Sequence, residues 1–301
     1  MGLHLQSFLF GIVKKPQYIT IFVAVVVLGL LLAFGRTAQK AEHSPDDGHD
    51  HAAQSTQNQD LTSTIAIDSV LTAAKKELPP EQSLKLDLLE KSITRGDVKN
   101  QQIEVFHQLA HFWRDTGRVF VPYAWYTAEG ARLENSEKSL TFAGHLFLNG
   151  LQQQHDHELK RWMALQSKDL FERSLKLNPD NDSSKVGIGA AYMFGGISAA
   201  PMEGILKVRE IADKDSANVF AQMTLAMGSL MSGQTDRAQE WLLTVTRVQP
   251  DNAEAHLLLG DIFERNGDKA PAVDHYTKAA ALIPRPDIKA ELEKRISELK
   301  N

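Results

Sequence analysis

Cysteine is absent from the 301-residue sequence. Disulfides, thiolate zinc sites, c-type haem attachment and a lipidated N-terminal cysteine are therefore excluded, and the composition is compatible with an oxidising compartment. An excess of positive charge is missing as well. The formal net charge of -5 supplies no basic stripe for a phosphate backbone, so nucleic acid is not an expected partner. Motifs for chemistry are equally scarce: there is no G-x-S-x-G and no phosphate-binding P-loop. His107-Gln108-Leu109-Ala110-His111 has the two-histidine spacing of a zinc protease, but Gln108 stands where the general base would be glutamate. What is left is either a bare two-histidine metal site or a pair of ordinary helix histidines. Gly187-Ile188-Gly189-Ala190-Ala191-Tyr192 starts like a dinucleotide-binding loop, yet Tyr192 occupies the place of the third glycine and no strand precedes it. His155-Asp156-His157-Glu158 is dense in ligand types, but adjacent helical positions point different ways. No catalytic residue, cofactor or metal site is therefore expected, and the chain is not expected to be an enzyme.

What is present begins with an uncharged apolar run, Tyr18 to Phe34. It is long enough to cross most of a hydrocarbon core of about 30 Å at about 1.5 Å per residue. A cleavable signal peptide is the alternative. Ala33-Phe34-Gly35 is a poor cleavage site and Arg36 follows at once, so residues 18–34 are expected to form an uncleaved transmembrane helix, with the lipid bilayer as a partner. Lys14 and Lys15 flank one side, Arg36 and Lys40 the other. The expected topology is a short cytoplasmic N-terminus over 1–17 and a periplasmic domain on a bacterial-type inner membrane; a cytosol-facing domain is the alternative. Residues 35–66 carry almost no large apolar side chain and are expected to form a flexible linker. Its His43, His49 and His51 beside Asp46, Asp47 and Asp50 leave a second option, transition-metal binding.

The most ordered pattern runs from Ala253 to Pro286. His256, Leu259, Gly260 and Phe263 are followed by Ala272, Tyr276, Ala279 and Pro284, with Asn266-Gly267 as the turn between. Gly260 and Ala272 are small enough to let two antiparallel helices approach closely, while Leu259, Phe263 and Tyr276 fill the layer between them. One period earlier stand Leu225, Ala226, Gly233, Ala238, Leu242 and Pro250. This 34-residue spacing resembles the tetratricopeptide repeat family. The resemblance implies an all-α fold, a solenoid of antiparallel helix pairs, and a role in binding proteins or peptides.

On that frame, 67–101 is expected to be an N-terminal helical cap and 102–286 the solenoid, with its best repeats at 219–252 and 253–286. A C-terminal capping helix follows at 287–301, with Asp287 as its N-cap. Phe106, Leu109, Ala110 and Trp113 predict the first helix of a degenerate repeat, with Thr116-Gly117 as its turn. The gap after Phe147 is longer than the family pattern.

In the family, the first helix of each pair lines the concave face. Applied here, the resemblance places Val186, Ala190 and Phe194 on one helix, and Phe220, Met223, Met227 and Met231 on the next, as an apolar wall for a protein or peptide partner. Ordinary inter-helix core is the alternative for the methionine stripe. Glu254, Asp261, Glu264 and Arg265 would turn the groove polar toward the C-terminus. The layout also resembles membrane-anchored tetratricopeptide proteins of bacterial envelopes, including ones that assist cytochrome c maturation or secretion. The expected function is accordingly that of a scaffold, adaptor or assembly factor, and the alternative is a metal-handling or enzymatic role for the histidine-rich segments.

Overall fold

Asn181, Asn218 and Asn252 each start a helix in the same way. The side-chain oxygen accepts the backbone N–H three residues on, from Ser184, Ala221 and Ala255 at 2.8, 3.0 and 2.9 Å. Such a cap contributes about 1 kcal/mol, and its recurrence marks the beginnings of three successive structural units. The structure, a computed structural model, describes residues 65–93, 98–198 and 201–301. These belong to one compact unit, Thr56–Asn301. Among the described residues there are thirteen α-helices and no strand.

In chain order they are α1 (Ile67–Lys76), α2 (Pro80–Ile93), α3 (Lys99–His111), α4 (Phe120–Glu134), α5 (Glu137–Leu151), α6 (His157–Leu177) and α7 (Asp182–Phe194). Then follow α8 (Met202–Lys214), α9 (Val219–Met231), α10 (Thr235–Val248), α11 (Ala253–Arg265), α12 (Lys269–Leu282) and α13 (Pro286–Lys300). Five hairpins, α3/α4 to α11/α12, stack in sequence to form a helical solenoid, with α13 against α12. Helix α2 packs on α3, and α1 lies against α4. The core is accordingly a chain of small clusters. One holds residues of α7, α8 and α9, the next residues of α9, α10 and α11, and the last joins α12 to α13. Each unit buries its apolar face only by stacking on its neighbours.

Gly260 shows why the hairpins close. A Cβ at that position would stand 2.5 Å from the Tyr276 ring, which is itself fully buried. Gly189 serves the same purpose toward the carbonyl of Gly204, and Gly187 makes room for Phe171 of the preceding hairpin. The hairpin turns use Gly233 and Gly267, whose φ values of 73° and 84° an L side chain rarely adopts.

Three sequence expectations are corrected. Thr116-Gly117 is not the reversal: α3 runs on into a π-helical turn, Phe112–Gly117, and the chain reverses at Arg118 with φ 53°. The wider turn accompanies burial of both Phe112 and Trp113. Gly117 is there for space, since its Cβ would stand 2.5 Å from the Trp113 ring. Asp287 is not the N-cap of the last helix. Arg285 holds that place, Pro286 fills the first helical position that its fixed φ suits, and Asp287 pairs with Arg285 at 2.5 Å. The long gap after Phe147 vanishes, because α5 continues to Leu151 and Asp156 caps α6 through Leu159 N–H at 2.8 Å. The expected span at 18–34 and all but the last two residues of the linker expected at 35–66 lie outside the described residues. Among those described, no helix is long and apolar enough to cross a membrane.

Candidate functional site

Helices α5, α7, α9 and α11 are the first members of four successive hairpins, and their inward faces share one cavity of about 580 Å³. Leu148 and Leu151 enter from the last turn of α5, and Ala190 and Phe194 from the second half of α7. Phe220, Met223, Met227 and Met231 contribute along the whole of α9, and Glu254 from the first turn of α11. Lys160 reaches the cavity from the first turn of α6. The volume lies in the range of ligand sites, and the lining is mainly apolar with a few polar groups.

The methionine stripe of the wall is open, while Leu148, Leu151 and Ala190 behind it belong to the core. Met223 and Met227 are half-buried, and Met231 is 64% exposed. This gradient follows from helix geometry: each four-residue step overshoots a full turn by about 40°. A stripe at i, i+4 and i+8 therefore rotates from the interior toward solvent. The same drift corrects the assignment of Val186, which stands eight residues before Phe194 and is fully buried among Val208, Ile211 and Leu225. It supports the wall from behind.

Asp261 and Arg265 also lie outside the cavity lining. The Tyr276 hydroxyl is held inside the hairpin with its single proton shared between Asp261 at 2.6 Å and Glu264 at 2.8 Å. Burial, with these two carboxylates, raises the phenol well above its ordinary range. Glu264 is further tied to Arg295 at 2.6 Å, and the Arg295 guanidinium with the Tyr276 hydrogen bond lowers its carboxyl. Asp261 and Glu264 thus serve the hairpin, and Arg265 ends α11 exposed.

Behind Phe220 stands His145. Its ring meets Phe220 and Phe171 edge-on at centroid distances of 4.9 and 5.1 Å, and its Nε2 lies 2.7 Å from Ser183 Oγ. Burial lowers its pKa below the ordinary imidazole value. The pair His107 and His111 does not converge: His107 Nε2 meets Glu134 at 2.8 Å, while His111 Nδ1 accepts from Arg114 at 2.8 Å. Asp156, in the other histidine-rich stretch, is committed to its cap. Among the described residues no group of three or more His, Asp or Glu is arranged to hold a metal ion.

Sequence reasoning missed Leu148, Leu151 and Lys160. The first two were accessible to the rule that first helices line the concave face, applied to α5. Lys160 had no such signal, because it belongs to a second helix.

Residues 225–286 match the model of the tetratricopeptide repeat family, which covers α10, α11 and α12 entirely and part of α9. Among curated proteins, no sequence matches the chain. The crystal structure of YrrB, a TPR protein with an unusual peptide-binding site, is similar at 15% identity over 68% of this chain and 97% of that one, with a TM-score of 0.38. MamA from Desulfovibrio magneticus RS-1 is similar at 19% identity over 62% and 96%, with a TM-score of 0.39. PilW, a widely conserved type IV pilus biogenesis factor, is similar at 14% identity over 76% and 99%, with a TM-score of 0.46.

Proposed function

We propose that the chain is a membrane-anchored scaffold that holds an apolar segment of a partner protein across α5, α7, α9 and α11. The observation that carries this reading is the open methionine-rich wall, made by successive first helices and left uncovered by the described side chains. Thioethers are flexible and polarisable, so such a wall accommodates apolar side chains of differing shape. An extended site spanning four helices suits a polypeptide segment better than a compact molecule. The uncharged run from Tyr18 to Phe34 supports an anchor in a bacterial-type inner membrane, and Lys14 and Lys15 support a cytoplasmic N-terminus with the helical domain periplasmic. In that setting the protein acts as an adaptor or assembly factor without chemistry of its own.

The test is selection of displayed random peptides against the full chain, followed by binding measurements on Met227→Gln. The expected outcome is enrichment of apolar peptides whose affinity drops about tenfold in the variant. Enrichment of purely polar peptides, or unchanged affinity in a well-folded variant, would overturn the reading. Extraction of membranes at high pH tests the anchor independently; release of the chain into the soluble fraction would contradict it.

A further inference from the structure

We infer that the segment bound in this groove is dipolar, with an acidic residue at one end of its apolar stretch and a basic residue at the other. The inference rests on the groove reading above. Two charged side chains line the cavity, Lys160 and Glu254. They come from opposite ends of the helix series, Lys160 beside α5 on α6 and Glu254 on α11.

Neither side chain enters an ion pair or a side-chain hydrogen bond with any described residue. Elsewhere on the solenoid some charges are satisfied internally, as Lys214 is by Asp182 at 3.0 Å and Arg295 by Glu264 at 2.6 Å. The two charges of the groove are thus left for whatever enters it. Lys160 is half-buried and Glu254 exposed, so each modestly favours an opposite charge on the ligand and disfavours a like one.

The geometry also sets the length of the segment. Three helix-to-helix steps at about 8–10 Å place α5 and α11 roughly 24–30 Å apart along the arc. An extended chain covers that in about seven to nine residues at about 3.3 Å each. Apolar side chains along this length meet Phe220, Met223 and Met227, while its ends reach the two charges.

Three fluorescent peptides with the same Leu-, Phe- and Met-containing centre test the inference, each about nine residues long. One has Asp at one end and Lys at the other, one has Asp at both ends, and one has Lys at both. Binding is measured with the full chain and with Lys160→Glu and Glu254→Lys, each checked by its thermal melt. The mixed-end peptide should bind the parent chain about threefold to fivefold tighter than either like-ended peptide. Lys160→Glu should transfer the preference to the Lys-ended peptide, and Glu254→Lys to the Asp-ended one. If either variant fails to fold, Lys160→Gln and Glu254→Gln replace them, and each should narrow the preference. Equal binding of all three peptides to the parent chain would overturn the dipolar ligand and leave the apolar groove standing. Binding of none, with decanol taken up instead, would overturn the groove reading itself in favour of a small apolar ligand.

Discussion

The hairpins α9/α10 and α11/α12 are built on one register and lined with different residues. Asn218 and Asn252 cap both first helices, Ala221 and Ala255 are fully buried, Leu225 and Leu259 fill the same layer, and Gly233 and Gly267 make the turns. Facing inward, Phe220, Met227 and Met231 of the first are replaced by Glu254, Asp261 and Arg265 of the second. The helix contact differs by compensation: Ala226 with Leu242 becomes Gly260 with Tyr276, the larger ring taking the space that the missing methyl leaves. The exchange has a second consequence. Leu242 needs no hydrogen bond, so Met227 is free to face the groove, whereas the Tyr276 hydroxyl needs an acceptor and draws Asp261 toward itself. The residue that fills the hairpin therefore decides what the groove face can offer.

The largest expected effect breaks the compensation. Gly260→Leu places a branched side chain where even a Cβ would stand 2.5 Å from the Tyr276 ring. It should cost about 3 kcal/mol or more in urea unfolding. Stabilisation, as for an exposed helical glycine, would contradict the packing. Next comes Tyr276→Phe, which removes the donor to Asp261 and Glu264 while keeping the ring. A loss of about 1 kcal/mol is expected in the same assay, and no loss would show that the two carboxylates are satisfied by water alone.

This comparison also shows what the sequence discloses and what it withholds. The Gly260–Tyr276 contact and the Asn266-Gly267 turn were legible because small residues and turn glycines recur at one spacing. Arg118 was not, since a left-handed residue without glycine leaves no mark, and neighbouring Gly117 offered a misleading one. At the groove, Ala190, Phe194, Phe220, Met223, Met227 and Met231 were legible from the first-helix rule, and all of them line the cavity. Val186 was misplaced because a four-residue stripe drifts around its helix, and Asp261 because its partner Tyr276 lies on another helix. Lys160 arrives by tertiary packing, which no spacing within α6 records.

A smaller effect is expected with pH. His145 lies behind Phe220, and burial lowers its pKa; His275 in α12 is lowered by burial and by His256. The Pro250 carbonyl can only accept, so His256 donates to it through Nε2 and its Nδ1 accepts from His275 Nδ1 at 2.9 Å. For both lowered histidines the unfolded chain binds a proton that the folded chain resists. Stability should therefore be full above about pH 7 and fall as pH drops through about 6.5 toward the lowered folded values. Urea midpoints between pH 7.5 and 5 measure this, and His145→Gln and His275→Gln should each flatten part of the slope. The carboxylate of Glu264, lowered by Arg295, is lost only at lower pH and does not enter this window. Stability that rises on acidification would contradict the buried, neutral imidazoles.

The central claim is that framework and groove residues are separable even when adjacent in sequence, as Ala226 and Met227 are: the first is fully buried, the second lines the open cavity. The most direct measurement is the unfolding free energy of Met227→Gln, with binding of the mixed-end apolar peptide read on the same sample. The account predicts a stability change of about 0.5 kcal/mol or less, because the amide reaches water, together with a loss of peptide affinity of about tenfold. A loss of about 2 kcal/mol or more, as expected for an amide buried without partners, would return Met227 to the core and contradict the groove.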